Sequence, residues 1–193
     1  MSKLILRTIL VWGFIVAPNE TLKILAADDS HTLDIQIEGE GVAIVHALIH
    51  FPFQPDVVFA VLTDYPNWPV LFPYDVEMKI EKFPHDTVVT DLTIPHKILS
   101  WTTRLKVKSR ETPPHKLETT LVDGDFLQYE QVWQLTPMRE GQNTRGELNL
   151  RLQPEGWIMK LVPDFLYKWL LRGDLEEHFE KLQRQLRLKQ ESD

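Results

Sequence analysis

The chain has no cysteine among its 193 residues, which excludes disulfide staples, thiolate nucleophiles and cysteine-ligated zinc. It also lacks an excess of positive charge, with 21 Lys and Arg against 28 Asp and Glu and a formal net charge of −7. A protein whose affinity rests on neutralising phosphates needs the opposite balance, so nucleic acid is excluded as a general partner. There is no Gly-x-Ser-x-Gly elbow, no phosphate-cradling glycine loop and no His-Glu-x-x-His pair, so the common hydrolase, nucleotide and zinc-peptidase chemistries have no foothold. His46 and His50 come nearest to a metal pair, but four residues along a strand place them roughly 13 Å apart, too far to share one ion. No metal and no cofactor is expected. What is present is apolar: 43% of the residues are hydrophobic, and a chain of this length can bury roughly 70% of its extended surface in one domain.

Lys3 and Arg7 precede an apolar run from Thr8 to Ala17, which has the charge and length of a signal-peptide core and is too short to span a bilayer. Ala26 and Ala27 offer a cleavage point about ten residues further on. Residues 1–27 therefore read as a signal peptide or an N-terminal membrane-surface anchor, and 28–193 as one domain. The corresponding location is exported, periplasmic or extracytoplasmic, with membrane association through the N-terminal segment as the alternative.

From Leu33 onward no repeat, linker or composition break divides the chain. Leu33 to Phe51 reads as one long strand with a bulge or bend at Gly39 and Gly41. Pro55 opens a short helix carrying Val57, Val58, Val61 and Leu62, and Pro66, Pro69 and Pro73 break the next stretch into short pieces holding Trp68, Leu71 and Phe72. Runs of period two then recur at spacings of about ten residues. They carry Met78, then Leu92, then Trp101 and Leu105, then Leu117, then Tyr129 and Trp133, and finally Leu148, with Asp123-Gly124-Asp125 as a hairpin turn. About seven strands result, each with one wet and one dry face. After Pro163-Asp164, Leu171, Leu175, Phe179, Leu182 and Leu186 recur at three or four residues, an apolar stripe on a helix of about 25 residues, roughly 37 Å long and able to cover the dry face. The fold class is α+β: a curved antiparallel sheet, two short helices after the first strand, and one long C-terminal helix across the sheet.

The stretch beginning Phe53-Gln-Pro-Asp-Val-Val-Phe-Ala-Val-Leu-Thr-Asp-Tyr-Pro-Asn-Trp-Pro, with a weaker match at Asp91-Leu-Thr-Ile and Trp101-Thr-Thr-Arg-Leu, resembles the helix-grip, START-like superfamily. Within it, the similarity is to the coenzyme Q-binding and polyketide-cyclase branch, over residues 33–188. The resemblance implies a hydrophobic small molecule held between sheet and long helix: a lipid, an isoprenoid or a quinone-like compound. A minority of such proteins use the cavity for cyclisation or dehydration. Fold similarity alone transfers no activity.

The residues expected to line such a site are Trp68, Phe72, Met78, Leu92, Trp101, Tyr129, Gln131, Trp133, Leu148, Trp157, Phe165 and Trp169. Each ring serves equally well as core packing or as the wall of an apolar site with a few orienting hydrogen bonds. Gln131 is the sharpest member, because an amide interrupts the apolar alternation of Leu127, Tyr129, Trp133 and Leu135 and needs a partner inside. A binding module requires a void among these residues. A cyclase requires Tyr129, Asp91 or His96 to converge as acid and base in one pocket. A third reading is a tethered interaction module with peripheral membrane contact through the N-terminal run.

Overall fold

Between Gly39 and Gly41 the chain reverses instead of bending. In the computed structural model, which describes residues 31–72, 75–83, 87–95, 102–156 and 162–192, a tight 3-10 turn carries Glu40 and Gly41 at φ +63° and +75°. Left-handed backbone at consecutive positions folds β1 (His31–Glu38) back on β2 (Val42–Phe51), antiparallel from His31 opposite Ile49 to Glu38 opposite Val42. The single bent strand expected from the sequence is therefore a hairpin.

Pro52 stops β2, and Pro55, pre-set for a first helical position, opens α1 (Pro55–Leu62). The next prolines convert helix into the 3-10 segment Tyr65–Leu71. Six further strands are β3 (Glu77–Phe83), β4 (Thr87–Pro95), β5 (Thr102–Thr112), β6 (Lys116–Gly124), β7 (Phe126–Met138) and β8 (Asn143–Pro154). With β1 and β2 they form one antiparallel sheet of eight strands in the order β1-β2-β8-β7-β6-β5-β4-β3. Register shifts between Lys106 and Val107 and between Phe126 and Gln128 interrupt the ladders and bend the long central strands.

The last element is α2 (Asp164–Ser192). Phe179, Leu182 and Leu186 are fully buried, with Leu171 and Leu175 partly so, as the apolar stripe predicts. The helix lies against β1, α1 and the 3-10 segment. Its direction relative to β1 is fixed twice: Arg172 donates to the Leu33 carbonyl at 3.0 Å, and the Phe179 ring meets His31 edge-on at 5.6 Å. As α2 numbers rise, β1 numbers fall. The beginning of α2 thus projects toward the end of the sheet that holds the Gly39–Gly41 turn, the end of β8 and the β6–β7 turn.

The opposite end is closed by the short helices. His178 Nδ1 hydrogen-bonds the Leu71 carbonyl at 2.9 Å, and the Lys181 ammonium donates to the Phe72 carbonyl. These contacts tie the end of the 3-10 segment to the middle of α2.

Candidate functional site

Cross-strand register sets which residues look inward. One row across the sheet reads Val88, Ser109, Thr119, Gln131, Leu150, Val45, Ile35. The row beside it holds Thr90, Val107 and Leu121 on one side and Tyr129, Leu152 and Ala43 on the other. Polar groups therefore collect on the inner face of β4 to β7, whereas the inner face of β1, β2 and β8 is almost wholly apolar.

The two halves also differ in how completely they are covered. Under α2 and α1, Ile35, Val45, Ala47, Ile49, Leu148 and Trp133 are sealed. On β3 to β7, by contrast, Met78, Ile80, Ile94, Thr103, Leu121, Phe126, Tyr129 and Gln131 face inward yet stay half-buried. Two clusters result, one beneath α2 and one around Val76, Leu92, Leu105 and Val107, with the Phe126 and Tyr129 rings packed against both. Those two rings meet edge-on at 6.1 Å.

The inner polar groups fall into a satisfied set and an unsatisfied one. Ser109 and Thr119 share a hydrogen bond of 3.0 Å, and the buried Tyr65 hydroxyl donates to Glu111 at 2.8 Å. Burial, with Glu111 adding to it, pushes the Tyr65 phenol far up, so it stays a protonated donor. The Tyr129 hydroxyl donates to Gln131 Oε1 at 3.2 Å, and burial raises this phenol too. Among the described residues the Gln131 Nε2 amide donor meets no acceptor. Two hydroxyls, those of Thr90 and Tyr167, are sealed from solvent with no hydrogen-bond partner among the described residues. Each such group costs about 1–3 kcal/mol if it stays unpaired, so a guest or a bound water that satisfies it is favoured.

The residues expected to line the site divide accordingly. Met78, Tyr129 and Gln131 stand on the half-buried inner face, and Leu92 at its buried floor. Phe72 borders the same cluster and meets the His178 ring at 6.0 Å. The Trp68 ring meets Tyr65 at a tilt of 51° with centroids 4.8 Å apart and donates to the Leu62 carbonyl at 2.9 Å, fixing the 3-10 segment. Trp133 and Leu148 belong to the closed core, where the Trp133 ring lies 6.4 Å from Phe51 and 6.3 Å from Phe179. Trp101, Trp157 and His96 lie outside the described residues.

Phe165 and Trp169 require correction. They are 74% and 68% exposed and do not face the sheet. At 100° per residue the buried stripe continues from Leu171 back to Tyr167, and residues two positions from Tyr167 point the opposite way. Tyr167, absent from the expected lining, is the inward residue of that turn. Thr90, Ser109 and Thr119 are absent from it too. Their phase is the signal that marks them, since each occupies an inward position in a run otherwise read by its Val and Leu.

Of the acid–base candidates, Asp91 and Tyr129 do not come together. Asp91 is on the outer face opposite Lys106, gripped by two hydrogen bonds from Arg104 at 2.9 and 2.7 Å, while Tyr129 is inside. The Arg104 hydrogen bonds hold the Asp91 carboxyl below the usual carboxylate range. His46 also faces outward, against Glu147 at 3.3 Å. Among the described residues no three His, Asp or Glu side chains gather as a metal site.

An antiparallel sheet wrapped over one terminal helix, with a partly lined inner face, defines the helix-grip class. The chain belongs to the polyketide cyclase / dehydrase and lipid transport family, whose model matches residues 51–179. No curated protein matches it by sequence. Among solved structures, a Thermus thermophilus protein is similar at 18% identity and a TM-score of 0.65, over 76% of this chain and 98% of that one. A START superfamily protein from Mycobacterium smegmatis is similar at 16% identity and TM-score 0.61, over 75% and 97%. The Zhui aromatase/cyclase from Streptomyces is similar at 10% and 0.60, over 76% and 94%. At these identities the likeness establishes the fold.

Proposed function

We propose that this chain binds a hydrophobic small molecule, of lipid, isoprenoid or quinone-like character, on the inner face of β3 to β7, and carries it without transforming it. One observation supports the reading above all: apolar inner surface around Leu121, Phe126 and Tyr129 stays accessible beside the spare Nε2 donor of Gln131, in a domain whose other half is sealed. Burying that surface against a guest is favourable at about 25 cal/mol per Å², and the amide supplies one orienting hydrogen bond. The family's lipid-transport membership agrees with it. Cyclisation has less support, because Asp91 and Tyr129 occupy opposite faces.

Extraction of the purified protein with organic solvent, followed by mass spectrometry, tests this reading. A discrete apolar compound in near-stoichiometric amount is expected; an extract matching that of an unrelated control protein contradicts it. The basic-then-apolar segment from Lys3 to Ala17 supports export or attachment to a membrane. Intact mass and membrane fractionation of the expressed chain distinguish the two.

A further inference from the structure

The first two turns of α2 carry an apolar face that none of the described residues covers. Phe165, Leu166, Trp169 and Leu170 are all exposed and, spaced at one and four residues, form a single stripe. The stripe ends sharply: the next positions along it are Gly173 and then Glu176, Glu177 and Glu180. Gly173 is not demanded by packing, because a Cβ there would meet only open space. This stripe sits at the same end of the molecule as the β6–β7 turn, whose neighbours Val122 and Leu127 are likewise exposed. It is also the end toward which the half-buried inner residues Ile94, Thr103 and Phe126 lie.

We propose that this end of the domain is a lipid-bilayer contact, with Phe165, Leu166, Trp169 and Leu170 seated at the level of the headgroups. Three observations favour a bilayer over a second copy of the chain. The six exposed side chains present roughly 600 Å², short of the about 800 Å² per partner that a standard protein interface buries. An aromatic and aliphatic mixture with Lys168 beside it, and no acidic residue between Phe165 and Leu171, suits an interfacial helix, where rings sit among headgroups and a lysine reaches the phosphates. The apolar run from Thr8 to Ala17 is separated from β1 by residues 18–30, which extend to at most about 45 Å. A chain held by that run keeps the start of α2 within reach of the same surface. The acidic stripe beyond Gly173 limits the contact to the first turns and makes a zwitterionic membrane the fitting one. The purpose of the contact, passage of an apolar guest between membrane and inner face, rests on the carrier reading; the contact itself does not.

Because the chain has no cysteine of its own, a single introduced thiol labels one site only. Full-length Leu166→Cys and Arg184→Cys chains, each labelled with an environment-sensitive nitrobenzoxadiazole dye, are mixed with phosphatidylcholine vesicles with and without spin-labelled lipid. The dye at 166 should gain emission, shift to the blue and be quenched by spin-labelled lipid, while the dye at 184 should do none of these. Replacing Phe165 and Trp169 together by Ser should abolish the response at 166 without shifting the melting temperature. Silence at 166 overturns the proposal, as does equal quenching at both positions. A rise at 166 that tracks protein concentration without vesicles overturns it in favour of self-association. None of these readouts requires the guest, so a protein that carries an extractable ligand yet ignores vesicles rejects the surface and leaves the carrier standing.

Discussion

Tyr129 and Gln131, two residues apart on β7, are joined by a 3.2 Å hydrogen bond in which the phenol donates and the amide oxygen accepts. The bond orients Gln131 with its Nε2 donor spare, on a half-buried inner face. It also spends the only proton of a phenol whose pKa burial has raised. Tyr129 therefore acts here as a neutral positioning group for the amide.

Replacing Gln131 by Leu removes the spare donor while keeping the volume close. The expected outcome is about tenfold weaker retention of the guest, the equivalent of one hydrogen bond of about 1.4 kcal/mol. The melting temperature of the ligand-free protein should fall, because the same substitution takes away the acceptor of the buried Tyr129 hydroxyl. Quantitative extraction and thermal unfolding, run side by side, check both halves.

Thr90 is fully buried with its hydroxyl unpartnered. Thr90→Val keeps the shape and deletes the orphan, so unfolding of the empty protein should be unchanged or more costly, by up to about 1 kcal/mol. A clear loss of stability in chemical denaturation would mean that the hydroxyl has a partner, most simply an internal water.

The β6–β7 turn depends on Gly124. Its φ is +122°, and a Cβ there would stand 2.3 Å from the Arg104 carbonyl oxygen, the same oxygen that accepts from the Asp125 amide at 2.8 Å. Gly124→Ala should cost about 1–3 kcal/mol, read as a lower denaturant midpoint.

His178 is held among Phe72, Phe179 and the Leu71 carbonyl, and desolvation, with nearby Lys181 assisting, lowers its pKa below the ordinary 6.5. The folded state therefore resists a proton that the unfolded chain accepts. Its contribution is fully present above pH 6.5 and is lost as pH falls from there toward the folded value. His178→Gln should flatten the stability profile over that interval. For Asp91, whose folded pKa Arg104 depresses, stability is present above the unfolded carboxylate value and is lost only as pH falls through the lower folded one. Asp91→Asn should thus lower stability slightly at neutral pH, the ion pair with Arg104 being partly exposed, and the difference from the native chain should vanish as pH falls through the folded value.

Much of this architecture is legible in residue patterns, because period and punctuation are strong where burial is one-sided. The stripe of Phe179, Leu182 and Leu186 specifies the gripping helix, and the alternation through Leu117 and Trp133 specifies central strands with one dry face. The β1–β2 hairpin is less visible, since its reversal uses left-handed backbone at Glu40, a residue with no marked preference for it. The site is harder still. Bulky rings advertise themselves, yet Trp133 is plain core and Trp169 faces solvent. The groups that distinguish the inner face are instead the modest hydroxyls of Thr90, Ser109 and Thr119, recognisable only once register shows which way they point.

Admission of an apolar guest to the inner face of β3 to β7 is the central claim. Titration with a naphthalene-based fluorescent probe, monitored by energy transfer from tryptophan, tests it directly when the native chain is compared with Leu121→Trp, which fills that face. One probe per native chain and none on the variant, with both unfolding at the same temperature, is the predicted result. Equal binding by a well-folded Leu121→Trp chain would contradict it.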